Sequence, residues 1–480
     1  MITMTLAEVA AATGGHPAAP VGDGAPDVTG EVVADSRQAG PGALFAAFVG
    51  ERVDGHDFVV GALDAGAAGA LVSRPEQVIL AGADAARLVV VDDVAAALGA
   101  LARHVLAELR RRRDPADPLH VVAVTGSFGK TTTKDLLAGL VAPLGERIAP
   151  PGSFNNEIGL PLTVLRARES TRTLVLEMGA DRVGNLDYLT SVAPPDVAVV
   201  LAVGRAHLGE FGGIDNVARA KSELVAGLVP AGTAVLNADD PRVMAMAGLA
   251  PGRVLTFGLD ESADVRATGV TVDDRGRAAF ELHTPAGTAD VALALVGEHH
   301  VHNALAATAV ALHLGVDLAA VATALAGAGA ASPHRMDVRE RSDGVTVIDD
   351  SYNANPDSVR AGLRALVGMA GGRRTVAVLG EMLELGTDSA AEHAAVGAEA
   401  ARLGVDIVLA VGAGTAALAA AARTPAGPEV VEAADLEAAH EHLVESLREG
   451  DVVLLKGSNG SGVWRLAEKL LAGPQGGTTA

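Results

Sequence analysis

From residue 119 onward, short β-branched runs alternate with longer Ala/Leu-rich stretches whose apolar positions recur at helical spacing. Residues 120–124, 173–177, 197–203 and 233–236 read as strands. The stretch 131–144, with Leu136, Leu137, Leu140, Val141 and Leu144 on one face, reads as a helix. Such alternation predicts a parallel sheet with crossover helices. Residues 254–295 are less regular and hairpin-like. The helix expected after Gly297 carries Ala304, Leu305, Thr308, Ala309 and Leu312 on one face. At Ser332-Pro333-His334-Arg335 the alternation restarts, with strands expected at 346–350, 375–379, 407–411 and 452–456. Before residue 119 lie short strands and one helix, which ends in Arg110, Arg111, Arg112 and Arg113. The polar, proline-broken segment Asp114-Pro115-Ala116-Asp117-Pro118 follows as a linker. The arginine run reads as a solvated helix end. The pattern divides the chain into an α/β protein of three parts, 1–115, 116–331 and 332–480. The tail from Gly473 is expected to be disordered.

Composition narrows the function. A chain of 480 residues, 49 % of them apolar, can bury a core in each of several domains. A formal charge of −22 without a basic tail argues against nucleic acid as partner. There is no cysteine, hence no disulfide framework and no thiol chemistry. The N-terminus lacks the basic and apolar regions of a secretion signal. The apolar run near 407–422 fits strand, turn and helix better than a membrane span. The expectation is a soluble cytoplasmic protein. Lysine is confined to positions 130, 134, 221, 456 and 469, the remaining basic residues being arginine. A chain that avoids lysine keeps it where only an amine serves. Lys134 and Lys469 read as solvated helix positions.

One loop carries explicit chemistry. After the apolar run ending at Val124 come Thr125, Gly126, Ser127, Phe128, Gly129, Lys130, Thr131 and Thr132. A glycine-rich turn between strand and helix aims successive N–H groups at an anion. In this setting Lys130 bridges the β- and γ-phosphates and Thr131 binds Mg²⁺. The generic motif begins with glycine where this chain has Ala123, which suggests a loop subclass in which that residue belongs to the strand. Polar residues also stand at expected strand ends, where open parallel sheets bind ligands. Glu177 is one, His207 another, and Lys221 sits on a helix start.

These residues lie in longer motifs: TGSFGKTTTK (125–134), FNNEIGLPLTVL (154–165), EMGADRVGNL (177–186), AHLGEFGG followed by ARAKSEL (206–224), LNADDP (236–241), GEHHVHNALAA (297–307) and DDSYNANPDSV (349–359). In this order they resemble the Mur ligase family, and within it the branch that adds D-alanyl-D-alanine. The resemblance implies a UDP-sugar-binding N-terminal α/β domain, a central P-loop ATPase-like parallel-sheet domain, and a C-terminal Rossmann-like ligase domain. It implies that ATP phosphorylates the terminal carboxylate of UDP-MurNAc-tripeptide and that the amine of D-Ala-D-Ala attacks the acyl phosphate, within a monomer. By the same resemblance Thr131 and Glu177 bind one Mg²⁺, and His207 and a carbamylated Lys221 serve a second. Asn303 reads adenine, although the family has His-Asn where this chain has His299-His300. Arg335 reaches the ATP phosphates, Asp350 the ribose and Lys456 the acyl phosphate. Tyr352, Asn353 and Asn355 lie between nucleotide and peptide, while Asn155 and Asn156 line the peptide channel. Ser36, Arg37, Asp54 and His56 contact the UDP-sugar. The alternatives are another amide ligase of the superfamily and a P-loop regulatory or transport ATPase.

Overall fold

The computed structural model describes residues 1–20, 26–50, 53–205 and 208–472. The tail expected to be disordered, and His207, lie outside them. Among the described residues the strands form three sheets. The central one has nine strands. Their order is Gly287–Val296, Arg277–Thr284, Val265–Val272, Val254–Gly258, Thr233–Asn237, Val197–Val200, His120–Thr125, Thr171–Glu177 and Glu146–Ile148. Seven of these strands pair in parallel, from Val265–Val272 to Glu146–Ile148. The hairpin-like region supplies the antiparallel end. One face is covered by helices Lys130–Leu140, His300–His313 and Leu318–Gly327 through Leu136, Leu137, Leu140, Leu305, Val321 and Leu325. The other is covered by Gly159–Val164, Asn185–Val192 and Ile214–Ala226. Burial on both faces is why the inner strands read as continuous apolar runs.

The C-terminal sheet has six strands, Asp337–Glu340, Thr346–Asp349, Val452–Lys456, Thr375–Gly380, Ile407–Val411 and Glu429–Ala433 in spatial order. All pair in parallel except the first. Helices Pro356–Ala370, Ser389–Leu403 and Ala416–Ala422 cover one face. Leu436–Ser446 and Val463–Leu471 cover the other, giving the doubly wound arrangement expected.

The N-terminal part departs from the sequence reading. Beside the long helix Val94–Arg112 it contains Leu6–Thr13, Val59–Asp64 and Pro75–Leu80, around a five-stranded sheet. These helices are too short to show a clear 3.6-residue period. The arginine run is solvated only in part: Arg111 and Arg112 are exposed as expected, whereas Arg110 and Arg113 dock onto the central part. Arg110 donates to Asp196 Oδ2 (2.8 Å), which also accepts from the Val121 amide (2.7 Å). Arg113 donates to the Thr171 carbonyl and Arg112 pairs with Glu169. Leu98, Leu101, Val105 and Leu109 share one core with Leu160, Leu186 and Leu189 of the central part. Lys221 also differs from expectation, lying in the middle of its helix, Ile214–Ala226. No helix among the described residues is long and apolar enough to cross a membrane.

Candidate functional site

The carboxyl ends of the central strands face the C-terminal sheet across a cleft of about 1160 Å³. Parallel strands and the helices that follow them bring both phosphate-binding amides and strand-end carboxylates to this side. Ala123 is a buried strand residue paired with Leu176 and Ala198, so the missing first glycine costs the loop nothing. Gly129 adopts φ +81°, which favours glycine, and a Cβ there would stand 2.4 Å from Asn303 Oδ1. Gly129→Ala is therefore expected to weaken nucleotide binding at least about tenfold, from combined backbone strain and displacement of Asn303. Titration calorimetry with ADP checks this, and unchanged affinity would refute it.

Lys130 begins the helix and its Nζ donates to the Gly126 carbonyl (2.8 Å). Burial lowers its pKa, while the nearby Glu177 carboxylate opposes that shift. Glu177 ends its strand buried, accepting from Thr131 Oγ1 (2.8 Å) and Asn155 Nδ2 (2.8 Å). Thr131 Oγ1 also meets Ser153 Oγ at 2.9 Å. Lys221 is buried, has no hydrogen-bond partner among the described residues, and titrates well below the usual lysine range. Burial is the main cause and the Lys130 charge the second. Glu223, two residues on, does not serve it. That carboxylate accepts from the amides of Gly184, Leu186 and Asp187 instead.

The C-terminal part closes the cleft. Arg335 donates to Ser153 Oγ (2.9 Å) and lies 4.1 Å over the Tyr352 ring. Lys456, 2 % exposed at the end of its strand, pairs with Asp350 and donates to the Asn353 carbonyl (3.1 Å). Asn355 caps helix Pro356–Ala370 by accepting from the Ser358 amide (2.9 Å), and its Nδ2 reaches toward the Ser127 carbonyl (3.5 Å). Ser127 Oγ is itself tied to the backbone of Gly204. Arg205 then pairs with Glu392 (2.5 Å), linking the two parts beside the loop. Asn303 is held by His300 Nδ1 (3.0 Å). Burial pushes the His299 pKa down to about 4 and that of His300 well below the usual range, so both rings are neutral.

The sequence matches the Mur ligase family, catalytic domain, over residues 30–105. It matches the Mur ligase middle domain over 124–311 and the Mur ligase, glutamate ligase domain over 334–459. It is 45 % identical to the UDP-N-acetylmuramoyl-tripeptide–D-alanyl-D-alanine ligase of Mycobacterium tuberculosis, over 98 % of both chains. The chain belongs to the Mur ligase family. A crystal structure of MurF from Acinetobacter baumannii superposes with TM-score 0.85 at 32 % identity, covering 98 % of this chain and 99 % of that one. MurF from Thermotoga maritima in complex with ADP gives 0.77 at 30 % identity, over 93 % and 98 %.

Read as a Mur ligase, the cleft gathers Ser127, Phe128, Gly129, Lys130, Thr131, Thr132, Asn155, Asn156 and Glu177 from the central part with Asn303 of its helix. It adds Arg335, Asp350, Tyr352, Asn353, Asn355 and Lys456 from beyond residue 331. Thr125 and Gly126 lie buried beneath the loop. Ser36, Arg37, Asp54 and His56 do not line this cleft but lie on the N-terminal part, and Lys221 is not among its lining residues either. Arg37 is exposed and forks onto Asp35. His56 is buried, with Nδ1 on Asp54 (2.7 Å) and Nε2 accepting from the Ser73 amide (3.0 Å), so it shapes its loop instead of presenting a free nitrogen. Two residues escaped the sequence reading. Lys134 is buried, not solvated: its Nζ donates to the carbonyls of Pro150 (2.6 Å) and Gly152 (3.1 Å). Its four-residue spacing from Lys130, which puts both on one helix side, was the available signal. Ser153 carried none.

Proposed function

We propose that this Mur ligase joins D-alanyl-D-alanine to the terminal carboxylate of UDP-N-acetylmuramoyl-tripeptide, consuming ATP and releasing ADP and phosphate. The observation that carries this reading is the convergence, in one cleft, of a phosphate loop with Lys130, the oxygen pair Thr131 and Glu177, and Lys456 with Arg335 from the facing C-terminal part. A hydrolytic ATPase needs no second sheet with a buried lysine aimed at the same space. A ligase does, because a carboxylate must be activated in one place and attacked by an amine there.

The chemistry balances simply. A carboxylate oxygen of the tripeptide attacks the γ-phosphorus and ADP departs. The free amine of D-Ala-D-Ala then attacks the acyl carbon, loses a proton, and phosphate leaves with the original carboxylate oxygen. Loop amides and Lys130 hold the β- and γ-phosphates, and Arg335 and Lys456 offset charge gathered between the two parts. The buried hydroxyl and carboxylate of Thr131 and Glu177 form a hard oxygen donor set that would suit Mg²⁺. Bound there, Mg²⁺ would neutralise phosphate charge. A neutral amine at Lys221 can add CO₂ to become a carbamate, an anionic oxygen ligand that with His207 would serve a second cation. Its buried, charge-repelled position favours that neutral form. Asn303 would read the base and Asp350 the ribose, while Asn155, Asn156, Tyr352, Asn353 and Asn355 would line the peptide path. Ser36, Arg37 and the loop of Asp54 and His56 would hold the UDP end. We assign residues 1–115, 116–331 and 332–480 to UDP-sugar binding, ATP binding and ligation. A monomer acting in the cytoplasm completes this reading.

Positional labelling tests the reaction class. With ¹⁸O in the terminal carboxylate of the tripeptide, one labelled oxygen is expected in the released phosphate. Label confined to peptide, with unlabelled phosphate, would overturn the acyl-phosphate route.

A further inference from the structure

Lys134 sits one helical turn beyond Lys130 and is 1 % exposed. Besides the Pro150 and Gly152 carbonyls it pairs with Asp135 Oδ1 (2.7 Å). Asp135 Oδ2 in turn accepts from Ser332 Oγ (2.6 Å), at the start of the segment that delivers Arg335. That segment is held against its intrinsic preference: His334 and Met336, flanking Arg335, have φ of 61° and 51°. The loop pinned by Lys134 ends at Ser153, which stands between Thr131 and Arg335.

Hydrogen counting gives this contact a direction. The Thr131 hydroxyl donates its one proton to Glu177 Oε2 (2.8 Å), so toward Ser153 it accepts. The Ser153 hydroxyl therefore donates to Thr131, and its lone pair accepts from Arg335 NH2 (2.9 Å). A single chain of donors thus runs from Arg335 through Ser153 and Thr131 to Glu177, each bond polarising the next. It begins on the C-terminal side of the cleft and ends at the central strand. The Arg335 Nε atom is buried without a partner, and among the described residues the guanidinium's hydrogen bond is the one to Ser153.

We propose that Ser153 is a positioning residue that couples the phosphate-loop threonine to Arg335, with Lys134 fixing the loop that presents it. Lysine suits position 134 because one ammonium has three donors for two carbonyls and a carboxylate. Methionine has none, and the planar fork of arginine does not match that spread. The proposal rests on the ligase reading given above, in which Arg335 works on the phosphates.

A double-mutant cycle in kcat for pentapeptide formation tests it. Ser153→Ala is expected to lower kcat about tenfold while changing KM for ATP less than about twofold, since a hydrogen bond to a charged group is lost only where Arg335 must be in register. In an Arg335→Ala background, Ser153→Ala is expected to change kcat less than about twofold. Lys134→Met should add no further loss to Ser153→Ala, and if Lys134→Met does not fold, the Ser153 and Arg335 cycle stands by itself. An unchanged kcat in Ser153→Ala, or the same factor lost in both backgrounds, overturns the coupling. A Lys134→Met loss that multiplies that of Ser153→Ala removes Lys134 from it. The unmutated protein separates the two levels. If it forms no pentapeptide, both readings fall; if it does and the losses multiply, the coupling alone falls.

Discussion

Lys130→Met is expected to lower the rate of ADP formation about a thousandfold, the loss typical of removing one charged or hydrogen-bonding group from a developing oxyanion. The ammonium lies where the loop backbone, Glu177 and Arg335 all meet its field. Methionine keeps most of the unbranched stem, so folding is expected to survive, with a thermal midpoint within a few degrees of the parent, about the shift that 1 kcal/mol produces. The substitution also acts at a distance. Burial and, second, the Lys130 charge depress the Lys221 pKa, so removing that charge raises it and would disfavour the proposed carbamate. Single-turnover quench-flow measures the rate. A variant within tenfold of the parent would show that the loop does not handle the transferred phosphate.

If Lys221 carries the proposed carbamate, Lys221→Ala is expected to lose nearly all activity, about a hundredfold or more. Added formate or acetate should restore part of it by occupying the vacated space as a carboxylate. Lys221→Arg should stay inactive, because a guanidinium remains cationic and cannot take up CO₂. The sign of the pH effect follows from the lowered pKa. The proposed carbamate needs a neutral amine, so it would be available above the depressed pKa and lost as pH falls through it. Carbon-13 NMR in ¹³C-bicarbonate reads the carbamate directly. Full activity in Lys221→Ala, or no carbamate signal in an active parent, would remove this role.

The fold was legible where periodicity was strong. The four central strands, the helix after Gly129 and the C-terminal strands lie within a few residues of their expected places, because buried parallel strands are unbroken apolar runs between turns. The N-terminal helices were not legible, as helices of six to eight residues span only about two turns. Arg110 and Arg113 looked as solvated as Arg111 and Arg112 are, because their docking partners, Asp196 and the Thr171 carbonyl, lie more than fifty residues away. The phosphate-loop residues, Glu177, Asn303, Arg335, Asp350 and Lys456, each singled out from a motif, meet in one cleft, whereas Lys221 and the N-terminal motif residues do not line it. What no single stretch carries is the junction: that Arg335 meets Ser153, or that Asn355 faces the phosphate loop, depends on how two sheets are set against each other. Lys134 shows the same limit, since a lone charge on a helix is normally solvated and only the position of the loop at Pro150 and Gly152 makes it internal.

The most direct test is ADP release with UDP-N-acetylmuramoyl-tripeptide, ATP and Mg²⁺, comparing D-alanyl-D-alanine with single amino acids as acceptor and weighing the product by mass spectrometry. The account predicts ADP in step with pentapeptide when the dipeptide is present, and neither with single amino acids. ADP formed equally without any acceptor, or a product carrying one amino acid instead of the dipeptide, would contradict it.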